Sequence, residues 1–163
     1  MRATLFALAL CLASGSQASE SDLQLVGQAR LKFLFWSVYD SRLFSTDGRY
    51  SEGQRPLRLE ITYLLDIGAD ALVERTAAEW RSQGRDHGRQ RQWLQDLSRL
   101  WPDVSKNDVI SLELDTGNRS TFYRNGELLG VIDDPAFGEH FLDIWLSPNT
   151  TRPELRLGLL GRR

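Results

Sequence analysis

The stretch from Thr121 to Ile132 limits what this chain can fold into more than any other part of it. Its two apolar runs, Thr121-Phe122-Tyr123 and Leu128-Leu129-Gly130-Val131-Ile132, are joined around Asn125-Gly126. That dipeptide tolerates positive φ at both central turn positions, so it predicts a tight β-hairpin. A helix start follows at once. Asp133 or Asp134 can accept from the free amides of a first turn, and Pro135 suits the first helical position, where its missing donor costs nothing. Phe137, Phe141, Ile144 and Trp145 then recur on one helical face. Thr151 before Pro153 repeats the start signal, and Gly161 after Leu159-Leu160 is a stop. Hairpin, buried helix and short helix together predict a packed α+β unit.

Upstream, Gly27 to Phe44 is the longest apolar stretch. Read as one strand, it puts Leu31, Phe33, Phe35 and Tyr39 on one face and Leu34, Trp36 and Val38 on the other. Both faces are then largely apolar, which predicts a central strand covered on two sides. Leu57, Leu59, Ile61 and Tyr63 alternate with Arg58, Glu60 and Thr62, predicting a strand with one wet face. Two helices are expected next. Ala69, Leu72, Val73, Thr76, Ala77 and Trp80 form one stripe, and Trp93, Leu94, Leu97, Leu100 and Trp101 a second, which Pro102 ends. Val109 to Leu114 alternates again and feeds the hairpin. The order of strands, helices, strands and helices argues α+β with an antiparallel sheet rather than repeated βαβ units.

The N-terminus has the look of a processing segment. Arg2, an apolar run from Leu5 to Leu12 and the small-residue site Ser16-Gln17-Ala18 predict a signal peptide, residues 1–18, cleaved after Ala18. The apolar run is well short of the roughly 20 residues a transmembrane helix needs, so no membrane span is expected. Residues 19–163 then form a single periplasmic domain, long enough for a core of its own. The single cysteine of the sequence, Cys11, would leave with the leader, so no disulfide is available. A net charge of −2 gives no support for nucleic acid as a partner. A monomer is expected.

Few residues suggest chemistry. Asp115-Thr116-Gly117 matches the aspartic protease motif, but that site needs two carboxylates sharing one proton and the loop occurs once. A polar turn is the better reading. His87 and His140 are the only histidines, neither with a second ligand at helical spacing, so no metal site is expected, and no cofactor motif is present. His87 is expected in a solvated loop and His140 on a helix flank. What remains is the aromatic wealth: Trp36, Tyr39, Tyr63, Trp80 and Tyr123 could wall a pocket, with Arg30 meeting a charged ligand end. An Arg within an apolar strand must find a partner or a ligand if it is buried.

Several motifs carry a family resemblance. Gly27-x-x-Arg30 leads into Lys32 to Tyr39 and then Val38-Tyr39-Asp40-Ser41-Arg42-Leu43. Farther on come Thr121-Phe122-Tyr123-x-Asn125-Gly126, Gly130-x-Ile132, Phe137, Phe141-x-x-Ile144-Trp145-Leu146 and Leu159-Leu160-Gly161. In order and spacing they resemble the exported bacterial branch of the chalcone isomerase-like proteins, over nearly all of residues 19–163. The resemblance implies an open-faced β-sandwich, a long antiparallel sheet covered by helices with a ligand cleft between them. In the plant enzymes of this fold a phenolate adds to an enone within one molecule, supported by an arginine, a threonine, a tyrosine and an asparagine. Here the threonine position falls on Leu34, which cannot donate to a developing enolate. The resemblance therefore implies non-catalytic binding of a small amphipathic ligand such as a fatty acid, with Arg30, Trp36, Tyr39, Tyr63 and Tyr123 as contact residues. Two alternatives stay open: an isomerase polarising a carbonyl with Arg30 and Tyr39 or Tyr123, and an envelope interaction protein without a ligand.

Overall fold

The computed structural model describes residues 23–162, so the expected leader and Cys11 lie outside the described residues. Among the described residues, six strands form one antiparallel sheet in sequence order: β1 (Gln24–Phe33), β2 (Trp36–Ser45), β3 (Leu57–Tyr63), β4 (Val109–Leu114), β5 (Ser120–Arg124) and β6 (Glu127–Ile132). Helices α1 (Ala69–Ser82) and α2 (Gln90–Leu100) lie between β3 and β4, and α3 (Pro135–Leu146) and α4 (Pro153–Leu159) follow β6. This is the α+β, open-faced arrangement expected, with every strand pairing its sequence neighbour.

One expectation needs correcting. The stretch Gly27 to Phe44 is not a single strand but a hairpin, reversing at Leu34-Phe35 with Phe33 opposite Trp36. Length explains why. At about 3.3 Å per residue a strand over that stretch would run roughly 60 Å, far past any partner in this sheet. Its turn has none of the usual turn residues, and Leu34 takes φ 54°, an uncommon region for a bulky side chain. The Asn125-Gly126 turn behaves as its sequence predicts, with φ values of 52° and 83°.

One face of the sheet is wet. On it Arg30 pairs with Asp40, Arg42 with Glu60, and Arg58 with both Glu60 and Glu113. The other face is apolar and carries the helices: Leu43, Leu57, Leu59, Ile61, Leu112, Leu114 and Phe122 are buried there. β3 shows the alternation in its plainest form, with Leu57, Leu59, Ile61 and Tyr63 buried and the residues between them half-exposed.

Helix α3 is the most deeply buried helix, and the stripe Phe137, Phe141, Ile144 and Trp145 points inward as expected. Of the two candidate caps, Asp134 takes the position, accepting from the Ala136 amide at 3.0 Å. The same carboxylate accepts from Trp93 Nε1 at 2.8 Å, which ties α2 to the start of α3. Helix α4 lies against β1 at very short range. A Cβ on Gly27 would sit 2.3 Å from the Gly158 carbonyl oxygen and 2.6 Å from the Gly161 nitrogen. Hydrogen is the only side chain that fits there.

Candidate ligand cavity

Between the inner face of the sheet and the helices lies a cavity of about 380 Å³, within the range of small-molecule sites. Its floor is Leu31, Leu59, Ile61, Ile110, Leu112 and Phe122 from the sheet. Leu72 and Ala71 of α1, Phe141, Ile144 and Trp145 of α3, and Leu155 of α4 form the roof. The period-2 alternation of the strands and the 3.6-residue period of the helices aim these side chains at the same space.

Polar side chains on this wall include Tyr39, Arg75, Thr76, Glu79, Thr151 and Arg152. Glu79 is buried although it is charged, and its carboxylate is satisfied from two sides. Arg75 donates to one oxygen as an i, i+4 ion pair, and the Thr151 hydroxyl donates to the other at 2.6 Å. Thr151 is thus committed to Glu79 and does not cap α4, where Arg152 stands at the N-cap without a side-chain bond. Thr76 donates back to the Leu72 carbonyl within its own helix. The Arg152 guanidinium makes no hydrogen bond or ion pair among the described residues, although it lines the cavity. It is the one uncommitted cation of this wall.

Tyr39 is the other notable group. Its hydroxyl accepts from Trp145 Nε1 at 2.9 Å, and its own proton has no acceptor among the described residues. Burial pushes its pKa up to about 12, against a smaller pull downward from the Trp145 hydrogen bond. The phenol therefore stays protonated near neutral pH and serves as a donor. Arg75 and Arg152 both favour its ionised form, and Glu79 opposes it, so these charges share its surroundings. Tyr63 packs edge-on against Tyr39, ring centroids 6.3 Å apart, and burial raises its pKa as well.

The expected contact residues divide sharply. Tyr39 and Tyr63 line the cavity. Arg30 does not: it is on the opposite, wet face, bonded to both oxygens of Asp40 at 2.6 and 2.7 Å. The intervening sheet separates it from any ligand in the cavity. Trp36 is 65% exposed at the β1–β2 turn, and Tyr123 is half-buried on β5, where Phe122 takes the inward position. Trp80 is buried in solid core, with its Nε1 donating to the His140 carbonyl at 3.1 Å. Leu34 projects into solvent at 78% exposure and forms no part of the wall. Sequence reasoning missed Arg75, Glu79, Thr151 and Arg152. The available signal was the Arg75–Glu79 spacing one residue round the helix from the Leu72–Thr76 stripe, which reads equally well as an ordinary surface pair.

Two other motifs resolve simply. Asp115 Oδ1 accepts from the Gly117 and Arg119 amides at 2.8 and 2.9 Å, so Asp115-Thr116-Gly117 is a polar turn. His140 is on helix α3, where it is buried among Trp80, Trp93 and His87. His87 stacks on Trp93, ring centroids 4.5 Å apart.

The model of the chalcone isomerase-like family matches residues 10–161. The chain belongs to that family. It is also 31% identical over 147 residues to an uncharacterized protein of Haemophilus influenzae, covering 90% of this chain and 72% of that one. Among solved structures, the chain is similar to a fatty-acid binding protein of Arabidopsis thaliana. The TM-score is 0.67 at 12% identity, over 86% of this chain and 87% of that one. At that identity the likeness carries the fold: an antiparallel open sheet under helices is the family's architecture, and this chain has it.

Proposed function

We propose that this chalcone isomerase-like protein is an exported, periplasmic binder of a small amphipathic ligand with an anionic head, a fatty acid being the leading candidate. The observation that carries the reading is the pairing of an uncommitted Arg152 guanidinium and a protonated Tyr39 hydroxyl with a cavity whose floor and roof are largely apolar. A carboxylate wants a charge-assisted bond from a cation and a second donor, and an alkyl chain wants the rest of the wall. The fatty-acid binding of the Arabidopsis relative supports the same class of ligand. Arg152 takes over the role first assigned to Arg30.

The arrangement favours binding over isomerisation. Tyr39 is held in its protonated form, and both oxygens of Glu79, the cavity's carboxylate, are engaged by Arg75 and Thr151. Neither is placed to act as a base. A filled interior would have favoured a protein without a ligand, and the cavity argues against that.

The test combines native mass spectrometry of protein taken from the periplasm with titration by a long-chain fatty acid. A bound fatty acid is expected, or stoichiometric uptake of an offered one. Arg152→Ala should weaken binding about 10-fold or more, as expected for a lost charge-assisted hydrogen bond of roughly 1.5–3 kcal/mol. Tyr39→Phe should weaken it less. Clean apo protein that takes up no fatty acid would overturn the reading. Export is tested separately, by cell fractionation and N-terminal sequencing, with Ser19 expected as the first residue.

A further inference from the structure

The hairpin that interrupts the expected first strand has an unusual end. Phe33, Leu34, Phe35 and Trp36 are 58%, 78%, 99% and 65% exposed, four large apolar side chains in a row. Pairing of β2 with β3 ends at Tyr39 and Tyr63, followed by one bond from the Leu64 amide to the Val38 carbonyl. The turn therefore overhangs the sheet by about 10 Å, at the usual rise per residue. Its base is continuous with the cavity, because Phe33 and Val38 belong to the cavity wall.

Exposed apolar surface of this kind marks a contact site, and its form decides among occupants. A large aromatic side chain offers about 150–250 Å², so the partly exposed tip presents at most roughly 600 Å². A stable protein interface takes about 800 Å² from each partner. The tip is also narrow and convex, a shape that suits a fluid surface better than a second rigid chain. Its composition agrees, since Trp favours the boundary between headgroups and acyl chains, and an overhang of about 10 Å matches the depth to which interfacial segments enter. Lys32 sits beside the tip and Arg75 is exposed at the cavity wall, both cations suited to lipid phosphates.

We propose that the Phe33–Trp36 tip inserts into the surface of a phospholipid bilayer and sets the cavity against it, so that an amphipathic ligand passes between membrane and protein. With a net charge of −2 there is little long-range attraction to an anionic surface. Insertion of the apolar tip supplies the affinity, and anionic headgroups add to it modestly. The transfer part rests on the ligand proposed above; the docking part does not.

The test uses the protein as recovered from producing cells, its N-terminus read first. Flotation is measured with phosphatidylcholine vesicles, alone and with phosphatidylglycerol. The double variant F35S/W36S alters exposed side chains outside the cavity wall, so its fold and its equilibrium affinity for a fluorescent fatty acid in solution should hold. The native protein should float with the vesicles, and the variant's partitioning should fall at least 10-fold. Transfer of the fluorescent fatty acid from vesicle to protein should slow by a similar factor in the variant. Native protein that stays unbound, or a variant that floats equally well, overturns the proposal. So does a dimer that the two substitutions dissolve, which would make a second copy the occupant. Tip-dependent flotation without any fatty acid transfer would uphold docking and reject the ligand instead.

Discussion

The two halves of the layer between sheet and helices are built from the same residue types to opposite ends. Under α2 and the start of α3, Trp80, Trp93, Phe137 and His140 pack against one another at ring separations of 5.0 to 6.1 Å. Toward β1, β2 and α4, the aromatic rings of Tyr39, Tyr63, Phe141 and Trp145 stand around an open space. The polar handles differ accordingly. In the filled half, indole donors end on fixed acceptors, Trp93 on Asp134 and Trp80 on the His140 carbonyl. In the hollow half, Trp145 donates to a Tyr39 hydroxyl that still has a proton to give. The first region is packed as core, and the second leaves the space in which binding is proposed.

Truncation should expose that division most strongly. Phe137 is fully buried in the filled half, and Phe137→Ala should cost about 3–5 kcal/mol, the range for emptying an aromatic site that cannot collapse. Leu72 borders the existing cavity, so Leu72→Ala enlarges a space already present and should cost about 1 kcal/mol or less. Urea midpoints of the two variants measure this. Equal losses would mean that the cavity closes in solution.

The roof of the hollow half is held close to β1 at Gly27, Gly158 and Gly161. Gly27→Ala puts a methyl group against the backbone of α4, where no rotamer change can relieve it. A loss of about 2–3 kcal/mol is expected, together with weaker ligand binding as α4 lifts. Gly88→Ala is the control, since a Cβ there meets nothing within 4 Å and the residue's φ is ordinary. Its unfolding midpoint should hardly move.

Acid should act on the filled half. Burial lowers the His140 pKa from its ordinary 6.5 to about 4, helped by the nearby positive charge of Arg85. Its Nε2 lies 2.7 Å from the Gln90 amide nitrogen, which also donates to the Arg85 carbonyl. That assigns Nε2 as an acceptor and the ring as neutral. The folded state thus binds this proton less readily than the unfolded chain does. Its contribution is complete above about pH 6.5, falls as pH drops toward 4 and levels off below. A drop from 6.5 to about 4 corresponds to about 3 kcal/mol at about 1.4 kcal/mol per pH unit, and solvent screening brings the full change to roughly 2 kcal/mol. Chemical denaturation between pH 4 and 7 should show the slope, and His140→Gln should remove most of it.

What the sequence disclosed follows the same boundary. Asn125-Gly126, the alternation of β3 and β4 and the stripe of α3 are local patterns, and local geometry determined each of them. The reversal at Leu34-Phe35 was hidden because no Gly, Asn or Pro marks it, and only the lack of a partner farther along the sheet forces the chain back. Arg30 was misplaced as a consequence: inside a supposedly two-faced apolar strand it looked buried, whereas its register opposite Asp40 puts it in water. Arg152 follows a helix-start signal that pointed to Thr151 as the cap. Only the three-dimensional meeting of α4 with α1 turns Thr151 toward Glu79 and leaves Arg152 at the cavity.

The smallest expected effect separates charge from fit in the hollow half. Glu79 puts a negative charge at the same wall that is proposed to receive a carboxylate. Glu79→Gln keeps the size of the side chain and a hydrogen bond with Thr151, while Arg75, 63% exposed, can turn to solvent. Little stability should be lost, because the cation left behind is hydrated rather than stranded. Removing the repulsion should tighten binding of a fatty acid anion by about 3- to 10-fold, a coupling on the order of 1 kcal/mol at the intermediate effective dielectric of such a site. Calorimetric titration with the fatty alcohol of the same chain length supplies the contrast, since that ligand carries no charge. If acid and alcohol gain equally, the substitution has changed the shape of the cavity, and the anionic head is not read at the Tyr39–Arg152 end.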